Sequence, residues 1–382
     1  MSTLADPPVP TSRGSQSASG RKLSQVATES DPFLNRSDSR PRPLQVTWEM
    51  TQACSWKSTP PRVKTRSAYD RNQFSTAEAF HLVEEVAAMR VPLLALTGGD
   101  PLLRPDLFPV IEFASRLSVR TSLTMLPTPK LDATAIAELK ASGLMRAGFW
   151  LHGSTAALDD AYWAVPGCHK RTLEVIGSCH EEQLPVQVNT IVGRRNLHDL
   201  DPMIELLTRL DIDLWNVFFF VPSSPEQASE VLTADEHEEV FIKLYTASRV
   251  ARFQIKTTEG QHYQRYVLQQ RVRESRGRLT EADVIHRGPR GVNEGKGFVF
   301  INHHGDVYPS RFLPLSAGNV TTEALAEVYS DSPLLVSLLD SSRLKGKCGR
   351  CTFRSVCGGS RARAYAMTGD LLASDPCCAY EP

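Results

Sequence analysis

Leu93-Leu-Ala-Leu-Thr97-Gly98-Gly99-Asp100-Pro101 is the stretch that sets the architecture. A short apolar run closed by Gly-Gly-Asp-Pro reads as a buried strand that stops abruptly, and a helical pattern from about Asp106 to Leu117 follows it. Strand, turn and helix make one βα unit. The same succession extends in both directions. Upstream, Leu44-Gln-Val-Thr-Trp-Glu-Met50 alternates as a strand ending near Thr51, with Cys54 just beyond. Ser75-Thr-Ala-Glu78 is a capping box that opens a helix with an apolar stripe of Phe80, Val83 and Ala87. Downstream, strands are expected at Val119–Thr124, Met145–Leu151, Val186–Val192, Leu214–Val221 and Phe253–Thr257. Helices at Asp132–Ser142, at Asp199–Leu210, up to about Glu182 and after the capping box Thr233-Ala-Asp-Glu236 separate them. This alternation predicts parallel βαβ units in an open or partial (β/α) barrel of α/β class. Ligands then gather at the carboxyl ends of the strands, where Cys54, Gly98–Pro101, His152 and Asn189 fall.

Outside this region the composition changes. Residues 1 to about 43 are rich in Ser, Pro and Arg and are expected to be a disordered leader. Ser55–Asn72 is basic and proline-rich without period and is expected as an exposed loop, while 271–296 looks like a linker. The domain reading is therefore a barrel over 44–270 and a small C-terminal unit over 297–382, opening with a hairpin around His303-His304-Gly305. Lys plus Arg and Asp plus Glu both number 43, so no global field favours nucleic acid or an acidic membrane as a partner. With no apolar run near the roughly 20 residues of a membrane helix and no secretory signal, the expected location is cytoplasmic.

Five of the eight cysteines lie in the tail, in Cys348-Gly-Arg-Cys351-Thr-Phe-Arg-Ser-Val-Cys357 and Asp375-Pro-Cys377-Cys378. These short spacings let sulfurs converge on one soft metal centre, and a reducing compartment favours that reading over disulfides or scattered core cysteines. A small unit of this kind needs such a staple. Structural zinc satisfies the spacing as well as iron–sulfur does.

A strand-end cysteine, a strand-end Gly-Gly-acid-Pro in the next unit and this tail, including Gly-Gly-Ser-Arg361-Ala-Arg363-Ala-Tyr, together resemble the radical S-adenosylmethionine (radical SAM) enzymes with a SPASM or twitch extension, of the haem and haem d1 maturation type. The resemblance implies a partial (β/α)6 TIM-type barrel and a catalytic [4Fe-4S] cluster on Cys-x3-Cys-x2-Cys. It also implies S-adenosylmethionine against Gly98, Gly99, Asp100, Pro101 and Asn189, and an electron donor such as a flavodoxin or ferredoxin. The substrate would be a small molecule such as a tetrapyrrole, or peptide-like. One auxiliary [4Fe-4S] cluster is implied on Cys348, Cys351, Cys357 and Cys377, with Cys378 as the alternative fourth ligand. Ser310 stands where fuller members have another cysteine.

The chain departs from that pattern at the catalytic motif. Cys54 matches the first ligand, but Ser58 and Pro61 occupy the other two positions. Either this is a degenerate homologue, or 55–72 carries a local reading-frame or gene-model error between intact flanks. As written, the polypeptide is expected to lack robust radical chemistry, leaving a cluster-binding scaffold as the alternative to an enzyme. Asp100 replaces the usual Glu, and Trp150-Leu-His152-Gly153 replaces Ser-Leu-Asp-Gly. His152 is either near substrate or a structural histidine. Cys168 and Cys179 read as buried free thiols, His303 and His304 as exposed turn residues, and Arg361 and Arg363 as donors to a cluster or an anion, or as a solvated helix face.

Overall fold

A computed structural model describes residues 41–54, 56, 70, 72–287 and 293–382. The leader over 1–40, most of the 55–72 loop, and with it Ser58 and Pro61, lie outside the described residues. In chain order the elements are β1 (Gln45–Glu49), α1 (Thr76–Ala88), β2 (Leu93–Thr97), α2 (Leu107–Arg116), β3 (Arg120–Met125), α3 (Ala133–Ala141), β4 (Arg146–Trp150), α4 (Ala156–Trp163), α5 (Cys168–Glu181), β5 (Val186–Val192), α6 (Leu200–Arg209), β6 (Leu214–Phe219), α7 (Ala234–Val250) and β7 (Gln254–Thr258). After them come α8 (His262–Glu274), α9 (Glu281–Arg287), β8 (Asn293–Glu294), β9 (Gly297–Ile301), β10 (Asp306–Tyr308), β11 (Gly318–Asn319), α10 (Leu325–Asp331), α11 (Pro333–Leu339), α12 (Gly346–Arg350) and α13 (Arg361–Thr368). Both capping boxes form, Ser75 with Glu78 and Thr233 with Glu236. The buried stripe of α1 is Ala79, Leu82, Val83 and Val86, so Phe80 and Ala87 sit at its margin and not at its centre. The polar stretch after Arg271 contains the end of α8 and the whole of α9.

The strands β1 to β7 pair in chain order and in parallel, and β9 adds in parallel to the free edge of β1. β10 and β11 then continue the sheet antiparallel. The sheet curls into a partial barrel, as one contact demonstrates: Lys256 of β7 donates from Nζ to Gln45 Oε1 of β1 at 3.0 Å. In a flat sheet strands six places apart would be separated by roughly 29 Å.

The period of two sorts the side chains. Val46, Trp48, Leu94, Leu96, Leu123, Met125, Ala147, Phe149, Trp215 and Val217 point outward under the helices and form the main core. The alternate positions carry Gln45, Thr47, Ser122, Thr124, Gln187, Asn189 and Asn216, which face the lumen and bond to one another, as Gln187 does to Asn189 at 2.7 Å and Thr258 to Asn216 at 3.0 Å. The barrel therefore has an apolar shell and a mixed interior, in which these polar side chains stand beside Trp150 and Phe218.

At the mouth, β1 and β2 prolong their pairing past the regular strands. Gly99 N–H donates to Thr51 O at 2.8 Å and Asp100 N–H to Ala53 O at 2.7 Å. A Cβ on Gly98 would stand 2.5 Å from Thr51 O, and one on Gly99 2.3 Å from Ala53 O. The glycine pair is required by backbone packing, and the backbone it meets is the segment leading to Cys54. Gly99→Ala is expected to destabilise the fold by about 1–3 kcal/mol and to raise the alkylation rate of Cys54 under native conditions. Unchanged urea midpoint and alkylation rate would contradict this account of the turn.

Candidate functional site

Two groups of sequence-selected residues come together in different parts of the fold. The first is at the barrel mouth. Cys54 is buried against Leu126, Trp163 and Cys168, and burial raises its thiol pKa, with the Trp56 N–H opposing and the nearby Asp100 adding. Asp100 turns inward: its Oδ1 accepts from Leu102 N–H at 3.2 Å and its Oδ2 from the Thr128 hydroxyl at 2.9 Å. Burial raises its pKa despite those bonds. Arg104 holds the same segment from beneath, forking onto Asp106 and donating to Met50 O at 3.0 Å. Asn189 lies across the lumen on β5, opposite Trp150 of β4, and donates toward Thr124 Oγ1 at 3.5 Å.

His152 has the environment of a structural histidine. It is buried, its ring packs on Tyr162 with centroids 3.7 Å apart, and Nδ1 accepts from Ile191 N–H at 3.1 Å. Its backbone N–H donates to Asp159 Oδ1 at 2.7 Å. Burial lifts the Asp159 carboxyl to about 7, the His152 N–H opposing and Asp160 adding. Cys168 and Cys179 are buried free thiols, each pushed up to about 12, chiefly by burial.

The second group is the tail. Cys348 on α12, Cys351 and Cys357 on the following loop, and Cys378 line one cavity, together with Arg265, Lys347 and Arg354. Cys377 faces elsewhere, packed with Phe220 and Val231. The loop turns at Gly358 and Gly359, with φ of 72° and 66°, a left-handed pair that glycine adopts without penalty. That turn aims Gly359 N–H at Cys357 Sγ, 3.4 Å away. Asp375 N–H reaches Cys348 Sγ at 3.4 Å, and Arg361 Nη2 lies 3.9 Å from the same sulfur. Burial raises Cys378 to about 11 and Cys357 higher still, and it raises Cys351. Isolated thiolates are disfavoured there, while a shared cation with N–H donors and basic neighbours would hold them deprotonated.

Of the two readings of Arg361 and Arg363, the solvated helix face is overturned. Arg361 and Arg363 are 3% and 0% exposed. Arg361 donates to Leu371 O and Ala373 O, and Arg363 makes a two-pronged pair with Asp375 at 3.0 and 2.6 Å while donating to Glu259 O at 2.8 Å. Asp375 in turn accepts from Ser360 N–H and Cys377 N–H, and burial notwithstanding, the Arg363 charge holds it well below the carboxylate range. The pair pins the Ser360 turn to the Cys377-Cys378 segment. Beside it Ser360 and Ser310 donate to Glu259, and Ser360 reaches Glu294. Burial first, then Glu294, push Glu259 well above its ordinary value. Sequence reading singled out Arg361, Arg363 and Ser310 but not the carboxylates Asp375, Glu259 and Glu294 that they or Ser360 meet, which lie far from them in sequence or carry no motif. His303 is also corrected: it is 3% exposed and bonded to Glu49, while His304 is half-buried against Asp70. Each meets a partner distant in sequence, which is why the turn motif alone suggested exposure.

The radical SAM superfamily model matches residues 53–207. Two relatives named AdoMet-dependent heme synthase are similar over nearly their whole length. That of Methanosarcina barkeri is 32% identical, covering 89% of this chain and 97% of that protein. That of Nitratidesulfovibrio vulgaris is 33% identical, covering 90% and 94%. Among solved structures, SuiB of Streptococcus suis superposes with a TM-score of 0.67 at 15% identity, covering 88% of this chain and 77% of that one, which is a likeness of fold.

Arg363→Met is expected to cost about 3–5 kcal/mol by leaving the buried Asp375 charge without its partner, with Arg363→Lys intermediate because it loses the fork. Urea unfolding with an unchanged midpoint would contradict this. For Asp159, the folded-state pKa near 7 lies above the ordinary 3.8, so the fold disfavours the ionised form; this contribution to stability is complete below about pH 4 and is lost as pH rises toward 7. Asp159→Asn keeps an acceptor for His152 N–H and should gain relative to the parent between pH 4 and pH 8, then level off. Parallel melting-temperature profiles for the two proteins would exclude that assignment.

Proposed function

The chain belongs to the radical SAM superfamily, and we propose that within it this polypeptide is a tetrapyrrole-binding member that holds one [4Fe-4S] cluster in its C-terminal segment and does not cleave S-adenosylmethionine. The observation that carries the cluster is the convergence of Cys348, Cys351, Cys357 and Cys378 on one cavity among Arg265, Lys347 and Arg354. Among the described residues no three of these sulfurs lie within 4.8 Å of one another. A tetrahedral zinc site with bonds of about 2.3 Å would set sulfurs about 3.8 Å apart, so the wider set suits a cluster better. Cys378 is the fourth ligand in this reading, and Cys377 is a packing residue.

The catalytic cluster does not fit. Of positions 54, 58 and 61 only the first carries sulfur, and Cys54 is buried in an apolar pocket whose other thiol, Cys168, is itself raised to about 12. Gly98, Gly99, Asp100, Pro101 and Asn189 remain as the edge that would face S-adenosylmethionine, without the iron that would anchor its amino and carboxylate groups. The full-length similarity to the two haem synthases supports a tetrapyrrole, and Gln187, Asn189 and Asn216 give the lumen hydrogen-bonding groups for such a ligand.

Anaerobic reconstitution is expected to give about four irons and about four sulfides per chain. Cys378→Ser should lose the cluster absorption and Cys377→Ser should retain it. With reductant and S-adenosylmethionine no 5'-deoxyadenosine should form. About eight irons with stoichiometric 5'-deoxyadenosine would overturn the loss of radical chemistry, and zinc in place of iron and sulfide on the tail would overturn the cluster. An iron porphyrin added to the reconstituted chain should show a shifted Soret band, and an unshifted band would overturn the ligand class.

A further inference from the structure

We infer that Asp70, His303 and His304 form a binding site for one divalent first-row transition-metal ion, separate from the tail cysteines and independent of what the lumen binds. Their three ligating atoms lie within 4.8 Å of one another at the carboxyl ends of β1 and β9. His304 Nε2 is 3.1 Å and His303 Nε2 is 3.5 Å from the same oxygen, Asp70 Oδ2. Metal–ligand bonds of about 2.0–2.2 Å produce ligand–ligand edges of about 3.0–3.5 Å in octahedral or tetrahedral sites, so both distances are those of donors around a common ion.

The orientation of His303 is the second observation. It is 3% exposed, and its Nδ1 lies 3.1 Å from Glu49 Oε2. Glu49 also accepts from Gln52 at 3.1 Å and has Arg311 3.6 Å from its other oxygen, so it is a carboxylate that can only accept. Nδ1 is therefore the donor, and the lone pair of a neutral ring sits on Nε2. That Nε2 is a buried nitrogen with no hydrogen-bond partner among the described residues, aimed at Asp70 and His304. A carboxylate behind an imidazole that presents its other nitrogen to a cation is the outer-shell arrangement metal sites use to fix a tautomer and raise ligand basicity.

Backbone hydrogen bonds shape the site. Asn302 Oδ1 accepts from His304 N–H and Asp306 N–H, both at 2.9 Å, which shapes the turn carrying both imidazoles. Phe74 N–H donates to His303 O at 3.0 Å and Gln73 N–H to Asp70 O at 3.1 Å, which ties Asp70 to that turn. Gly305, at φ 88°, packs so closely on Phe74 that a Cβ would stand 2.8 Å from its ring. The His304 side chain is 35% exposed, which leaves the ion open to water on that side. Two imidazoles and one carboxylate suit zinc, iron(II), cobalt(II) or nickel(II) rather than calcium or magnesium.

The test is a cobalt(II) titration of the full chain after anaerobic assembly of its iron–sulfur cluster, read by visible absorption and by metal analysis. One cobalt per chain is expected, with weak d–d bands and without the intense sulfur-to-metal charge transfer of a thiolate site. His304→Ala and Asp70→Asn should each weaken binding at least tenfold with iron and sulfide content unchanged, and Glu49→Gln should weaken it about 10–100-fold although Glu49 touches no metal. His304 is half-exposed, so its substitution also serves as a variant that keeps the fold. No cobalt uptake, uptake indifferent to His304→Ala, or uptake with thiolate charge-transfer bands would each overturn the proposal and leave the group as an ion-pair network.

Discussion

Much of this structure depends on β1 being hydrogen-bonded on both edges. Its parallel pairing with β2 on one side and β9 on the other makes it an interior strand, and its outward Val46 and Trp48 are fully buried as a result. The chain thereby places a segment from beyond residue 296 beside one from before residue 50. The Met50–Cys54 segment is bound by the Gly98-Gly99-Asp100 turn, Glu49 is set against His303, and the hairpin of β9 and β10 is held at the mouth of the barrel.

The second organising element is electrostatic. Arg363 and Asp375 are both without solvent exposure, and a buried pair of this kind carries a desolvation penalty that only good geometry and further hydrogen bonds offset. The fork between them, the N–H donors of Ser360 and Cys377 and the carbonyl of Glu259 supply that geometry. The consequence is specificity of placement: the two residues after Pro376 are rotated so that one sulfur packs in the core and the next faces the cavity with three other thiols.

These two constraints set the barrel mouth and the cysteine-lined cavity of the tail. The β1 pairing is made with β2 and β9, and the Arg363–Asp375 clamp with Ser360, Cys377 and Glu259. Both are held by packing and hydrogen bonds among the described residues of the barrel and the tail.

The sequence by itself determined the strand and helix order of the barrel, both capping boxes, the turn at Gly98–Pro101 and the gathering of cysteines in the tail. Each of these is written in local spacing: periods of two and 3.6, a hydroxyl three residues before a carboxyl, cysteines a few residues apart. What only the tertiary structure decided involves partners far apart in the chain. The choice of Cys378 over Cys377 to face the cavity depends on Arg363 and Asp375 packing against Glu259. The burial of His303 depends on Glu49, at the other end of the sequence. The close fit of Gly98 and Gly99 depends on the backbone of Thr51 and Ala53. Local periodicity carries no information about such meetings, because they are set by how the sheet curls and which strand edge β9 finds.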